Sequence, residues 1–250
     1  FQERTVVITF DGGYSDVLYT AKDVLGRFGV SAAVFASSAN IIEGGRFWWQ
    51  ELENFIIANN CRGQLELEID CQLRRWPLLT QFDKCRAYED LYSILSNKIP
   101  SEQRIIVEEI SRSLELHAEE LDDHRTMSGQ ELRKLTEGGL ITVGGHTHNF
   151  VKLSSLPVQR RIVEVLKNKD ILGEVLGGTV EYFSYPFDSD DSLAAETVGI
   201  LKDVGYSLAC GNSYGTAGIA GETSRYDLPR VKVGNWSTFV FYKFLRRFFD

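Results

Sequence analysis

Positive charge is in short supply. The 250 residues hold 27 Lys and Arg against 35 Asp and Glu, a formal net charge of −8. That balance excludes general nucleic-acid binding, which needs a basic face, and is read mainly as solubility. No apolar run reaches the length of a membrane span, so no transmembrane segment is expected. The stretch from Phe1 shows no charged-then-apolar leader pattern, which leaves the compartment open, leaning cytoplasmic. Cysteine is scarce. Cys61, Cys71, Cys85 and Cys210 form no Cys-x-x-Cys pair, and no histidine stands at zinc-finger spacing from them. Buried free thiols are the expected state, with a Cys61–Cys71 bridge open in an oxidising compartment. Repeats and low-complexity segments are missing. The Gly-rich run from Gly211 to Gly221 lacks the Lys-Ser/Thr of a phosphate loop.

What remains is 43% hydrophobic and 25% charged, the make-up of an ordinary globular protein. The length suits one large α/β barrel or two small domains. The most informative stretch is Val6-Val7-Ile8-Thr9-Phe10-Asp11-Gly12-Gly13-Tyr14. A β-branched run of this kind reads as a strand buried on both faces. The glycines end it with a sharp turn. Asp16 to Val30 has helical spacing, with Val17, Ala21, Val24, Leu25 and Phe28 on one stripe. Asp11 is thereby placed at the carboxyl end of a buried strand, the edge on which α/β proteins build active sites.

Further strands are expected at Ala32–Ala36, Leu140–Val143, Tyr182–Phe187, Tyr206–Cys210 and Leu228–Val233. Helices are expected at Glu131–Glu137 behind a Ser128 cap, Pro157–Leu176, Leu193–Val204 and Thr238–Phe249. In the Pro157–Leu176 helix, Ile162, Val165, Leu166, Leu172 and Leu176 form the expected buried side. The region from about 43 to 126 differs. It is charge-rich, with a helix from Phe47, an alternating strand at Gln64–Ile69 and amphipathic helices at Asp83–Leu95 and Ser101–Leu116. It reads as a helical insertion within a single domain spanning 1–250. His117 and His124 lie in it, far from the motifs, and read as structural or solvated. Strand–helix alternation elsewhere points to a parallel α/β barrel.

Three stretches resemble the motifs of the polysaccharide deacetylases, the NodB-homology or carbohydrate esterase 4 family. Thr9-Phe10-Asp11-Gly12-Gly13-Tyr14 resembles the family's Thr-Phe-Asp-Asp-Gly-Tyr, whose first Asp is the catalytic base and second a metal ligand. Gly12 removes that ligand. His146-Thr147-His148-Asn149-Phe150 resembles His-Ser/Thr-x-x-His, with Phe150 standing where the second metal histidine belongs. The following Leu153-Ser154-Ser155-Leu156 keeps the register. Phe183-Ser184-Tyr185-Pro186-Phe187 resembles the third motif, with Glu181 in place of its arginine and Asp188 in place of its glycine. The family's late histidine has no counterpart after His148.

The resemblance implies a distorted (β/α)7 barrel and a divalent metal, zinc, used on an acetylated polysaccharide or oligosaccharide. Carried over residue by residue, Asp11 is the base and the Tyr185 amide an oxyanion donor. Arg230, near the end of the last strand, is a candidate to supply the lost cation, with a plain Arg–carboxylate pair at the barrel rim as the alternative. His146 is the one retained ligand, with His148 or Asp188 as candidates to complete a site. Trp48, Trp49, Tyr14 and Pro186 are the expected sugar contacts, with one of the two tryptophans in the core, because adjacent helix positions cannot share a face. Keeping one of three ligands predicts weak or absent zinc. Two functions follow as expectations: hydrolysis of N- or O-acetyl groups on a glycan, or a catalytically inactive deacetylase-like domain that binds a glycan or a partner in surface-polysaccharide synthesis.

Overall fold

The computed structural model describes residues 5–58, 61–116, 125–187, 195–217 and 224–249. His117, His124 and Asp188 lie outside the described residues. Six strands form one parallel sheet: β1 (Ile8–Gly12), β2 (Ala32–Ala36), β5 (Ile141–Gly145), β6 (Tyr182–Ser184), β7 (Leu208–Tyr214) and β8 (Leu228–Arg230). They pair side by side in chain order, each parallel to its neighbour. β1 and β8 are opposite edges of this order, yet Arg230 on β8 bonds Thr9 and Asp11 on β1. The sheet is therefore curled into a half-barrel, the expected α/β barrel class.

Helices cover the curled sheet. They are α1 (Lys22–Phe28), α2 (Ser38–Glu43), α6 (Gly129–Thr136), α7 (Val158–Leu176) and α8 (Ala195–Val204). The core between them and the sheet includes Val34, Leu132, Val165, Leu172, Phe183 and Leu201, all essentially inaccessible. Ser128 caps α6 as expected, accepting from the Glu131 amide at 3.3 Å.

Two helices bury only part of the stripe that the spacing predicts. A π turn at Val17–Ala21 precedes α1 and adds a residue to its turn. Val17, Leu18 and Leu25 are buried as a result, while Val24 and Phe28 are 48% and 78% exposed. On α7, Ile162 and Leu166 are exposed and the polar Glu164 and Asn168 are buried between the apolar positions. Those two side chains hold the loop after β5.

The segment between α2 and α6 contains α3 (Trp48–Glu53), α4 (Gln81–Leu95), α5 (Pro100–Ser113) and a hairpin of β3 (Gln64–Ile69) with β4 (Gln72–Pro77). The alternating strand at Gln64–Ile69 has its wet face as expected, with Leu65, Leu67 and Ile69 buried. β4 was not expected. It is joined to β3 through Asp70 and Cys71, both at positive φ (56° and 58°), the backbone of a tight hairpin turn. Leu52, Ile56, Leu65, Leu78, Leu91 and Ile110 give this segment an apolar cluster of its own. Only Cys210 is a buried thiol. Cys71 and Cys85 are exposed and Cys61 is half-buried, all free, so the expectation of buried thiols fails for three of four.

Candidate functional site

The carboxyl ends of the strands share one rim. In register, Gly12 faces Ala36, Ala36 faces Gly145, and Ser184 faces Cys210. Each strand's next residues turn into the loops above that rim, so Asp11, His146, Tyr185 and Arg230 all belong to it.

Arg230 sits at the centre. Its Nη1 and Nη2 donate to Asp11 Oδ1 and Oδ2 at 2.8 and 2.9 Å, a two-pronged carboxylate grip. Its Nε donates to the Gly211 carbonyl at 2.9 Å, and Nη2 also donates to Asn212 Oδ1 at 2.8 Å. Burial pushes the Asp11 carboxyl up, but His146, Arg230 and the Ser184 hydroxyl together hold it below the usual value. Asp11 is an ionised carboxylate with 32% of its side chain still open to solvent.

His146 is 1% exposed. Its Nδ1 lies 2.8 Å from the Ser184 carbonyl, which can only accept. The proton therefore sits on Nδ1 and the Nε2 lone pair is free of it. Burial above all lowers its pKa, with Arg230 adding to the effect against Asp11, so the ring is neutral near pH 7. The backbone around it is fixed by Asn168, which accepts from the His146 amide at 3.1 Å and donates to the Ala36 and Thr147 carbonyls at 3.0 and 2.7 Å. Ser37 Oγ donates to the His146 carbonyl at 2.7 Å. Glu164 accepts from the amide and side chain of Asn149 at 2.8 and 2.6 Å. Asn168, Glu164, Ser37 and Asn212 are site residues the sequence reading missed. Polar residues inside the apolar stripe of the Pro157–Leu176 helix were the available signal.

An aromatic cluster covers His146. The Phe150 ring meets the imidazole edge-on, with centroids 4.5 Å apart, and also touches Phe47, Trp49 and Phe187. Phe47 and Trp49 stack at 4.4 Å, and Trp49 Nε1 donates to the Tyr14 hydroxyl at 3.1 Å. Burial pushes that phenol up to about 12. Trp49 thus joins the site and Trp48 does not. Trp48 packs toward Tyr92 in the other apolar cluster, which makes it the core tryptophan. Pro186 is buried beside Phe187. Thr147, Phe150 and Phe187 all have positive φ (60°, 54° and 61°), a left-handed backbone that costs non-glycine residues energy and gathers at functional sites.

Two sequence-based roles meet obstacles. The Tyr185 amide donates to the Cys210 carbonyl at 3.1 Å, so the sheet already uses the hydrogen that an oxyanion would need. The Tyr185 hydroxyl donates to the Tyr226 carbonyl at 2.9 Å. His148 is not brought to His146. Its Nδ1 lies 2.8 Å from Ser38 Oγ on α2, whereas His146 bonds the end of β6, so the two rings reach opposite neighbours of β5.

Among the described residues, the donors do not fit a metal of the kind the resemblance implies. A catalytic zinc takes three protein ligands. His146 Nε2 is one. Gly12 has no donor atom, and Phe150 places an apolar ring against the imidazole. Gly12 also lies at φ +101°, and a Cβ there would come within 2.7 Å of the Tyr14 ring. Among the described residues, no three His, Cys, Asp or Glu side chains form a group able to hold a metal.

Comparison with known proteins places the chain in a family. The profile of the polysaccharide deacetylases matches residues 82–209, just over half the chain. No curated protein matches it. Among solved structures, a Streptococcus pyogenes deacetylase, PplD, in complex with acetate is similar at 13% identity and a TM-score of 0.54, over 93% of this chain and 66% of that one. IcaB from Ammonifex degensii is similar at 15% identity and a TM-score of 0.56, over 97% and 72%. A polysaccharide deacetylase from Bacillus cereus gives 14% and 0.54, over 96% and 50%. The chain thus spans about two thirds of the first of these proteins and half of the last. At such identities the likeness shows the shared fold. Together with the profile over 82–209, it establishes that the chain belongs to the polysaccharide deacetylase family.

Proposed function

We propose that this deacetylase-family protein recognises an acetylated polysaccharide or oligosaccharide without hydrolysing it by a zinc-bound water. The observation that carries this reading is the Phe150 ring packed 4.5 Å from the His146 imidazole, where a second ligand would have to stand. Zinc binding in the protein is accordingly weak or absent. Trp49 and Tyr14 are the groups offered to a sugar ring, since aromatic faces stack on its C–H bonds; Pro186, also expected there, is buried. Phe47 and Trp49 reach the rim from the 43–126 region, which we read as an insertion within one barrel domain.

Hydrolysis is the rival reading. It rests on Asp11, held ionised and oriented by Arg230, and on a neutral His146 with Nε2 unprotonated. A positioned carboxylate of this kind can take a proton from an attacking water. The test uses N-acetylated glucosamine oligomers and O-acetylated xylan oligomers with the protein as purified and after zinc addition. Binding is followed by calorimetry and acetate release by an enzymatic assay. Binding without acetate release is the expected result. Zinc-dependent acetate release overturns the proposal in favour of an active deacetylase.

A further inference from the structure

α9 (Thr238–Phe249) is unlike the rest of the chain. It reads Thr-Phe-Val-Phe-Tyr-Lys-Phe-Leu-Arg-Arg-Phe-Phe, rich in aromatics and carrying three cations and no acid; Asp250 follows it. A helix facing a protein core buries its apolar stripe. This one does not. Phe239, Val240 and Tyr242 are 63%, 48% and 58% exposed, and Trp236, just before the helix, is 37% exposed. Trp236 lies against Phe244 at 4.9 Å, and with Val240, Lys243 and Arg247 they line a shallow groove. Lys243 Nζ stands 4.5 Å from the Phe239 ring centroid.

The cations and most of the apolar side chains are sorted by face. Lys243, Arg246 and Arg247 fall three and four apart, on one side of the helix. Phe241, Phe244 and Leu245, also three and four apart, fall on the other, while Phe239 stands among the cations and Val240 at their flank beside Arg247. Aromatic and aliphatic residues opposite a basic strip are the pattern of a helix that lies in the plane of a membrane interface. The charge of the whole chain selects the lipid. At −8 overall, the body of the protein is repelled by an anionic surface while α9 is attracted to it. That opposition orients the molecule with α9 inward. No helix among the described residues is long and apolar enough to cross a bilayer.

We propose that α9 docks the protein on an anionic bilayer surface, aromatics in the headgroup region and cations against lipid phosphates. This stands independently of the proposed function at the strand-end rim. Full-length protein is sedimented with vesicles of equal parts phosphatidylglycerol and phosphatidylcholine, and with phosphatidylcholine alone. Binding to the neutral vesicles is expected to be roughly tenfold weaker or less. Phe241→Ser with Leu245→Ser, on the apolar face, and separately Lys243→Glu with Arg247→Glu, are each expected to weaken binding to the anionic vesicles about tenfold. Phe28→Ser, on the exposed side of α1, is expected to leave it unchanged. Circular dichroism confirms that each variant keeps its fold. Protein that stays in the supernatant with anionic vesicles overturns the proposal, and so does equal loss on Phe28→Ser. A solution dimer dissolved by the Phe241 and Leu245 changes overturns it too, and assigns the helix to a second copy of the chain.

Discussion

Arg230 on β8 grips Asp11 on β1 through two parallel hydrogen bonds, 2.8 and 2.9 Å long. The two strands are the opposite edges of a six-stranded sheet. One ion pair therefore closes the half-barrel and also fixes the carboxylate at its rim. Arg230 satisfies its remaining donors on the Gly211 carbonyl, Asn212 and Thr9, so it acts as a hub for β1, β7 and β8.

Removing the hub should unfasten the edges. Arg230→Ala leaves Asp11 without its partner, and the expected loss is about 2–4 kcal/mol of unfolding free energy, slightly under the usual cost of breaking a buried pair because part of Asp11 reaches water. Arg230→Lys should recover less than half of that, since an ammonium cannot make the fork-shaped contact. Urea denaturation of the three proteins measures it. Full stability in the lysine variant would show that charge alone, without the two-pronged geometry, is enough.

Acid should weaken the fold earlier than its carboxylates alone predict. His146 is lowered from 6.5 by burial, so between its native pKa and 6.5 the unfolded chain binds a proton that the folded one refuses. Stability then rises with pH across that window and levels off above 6.5. Asp11, lowered from 3.8, acts further down: its contribution is complete above that value and is lost as pH falls through the lowered one. Melting temperatures from about pH 7.5 to about pH 5 should fall in the parent and fall less steeply in His146→Asn. Equal slopes in the two proteins would remove His146 as the cause.

Much of this was legible because strand ends announce themselves. β1 ends at Asp11-Gly12-Gly13, and β5 ends at Gly144-Gly145-His146, apolar runs stopped by glycine. The glycines there are sterically required: a Cβ on Gly145 would lie 2.2 Å from the Tyr206 hydroxyl and 2.4 Å from Asn168 Oδ1. Other contacts were not legible. The Tyr185 amide is spent on Cys210, a pairing set by sheet register rather than by side-chain identity. Asn168 stands on the apolar stripe of α7, three after Val165 and four before Leu172, but the backbone groups it holds were not legible. The face that α1 buries depends on one π turn, which no apolar spacing encodes.

Phe150 sits at a backbone angle, φ 54°, that suits glycine. Its ring touches four others, so Phe150→Ala removes packing and is expected to cost about 2–4 kcal/mol, less than a fully buried phenylalanine. Phe150→Gly removes the same ring but also relieves the left-handed strain, which is worth about 1 kcal/mol. The glycine variant should therefore be the more stable of the two, reversing the usual order. Thermal unfolding of both decides it. If alanine is the more stable, the backbone at 150 has relaxed out of its left-handed conformation.

The same strain governs any attempt to rebuild a metal site. Phe150→His alone supplies a second imidazole near His146 but no carboxylate, and stoichiometric zinc binding is not expected from it. Gly12→Asp alone supplies a carboxylate at a position where φ is +101° and the first side-chain carbon meets the Tyr14 ring at 2.7 Å. It should cost about 1–3 kcal/mol in stability and bind no zinc. The double variant brings three ligands together and should bind zinc more tightly than the two single gains combined, because both new groups contact one ion. Its melting temperature should fall without zinc and rise on zinc addition, since metal binding to the folded state opposes the strain. Calorimetric titration and zinc-dependent melting of the parent, both singles and the double test this. Tight binding by Phe150→His alone would mean that an existing residue already supplies the third ligand, and the barrier at Gly12 would not be what keeps the metal out.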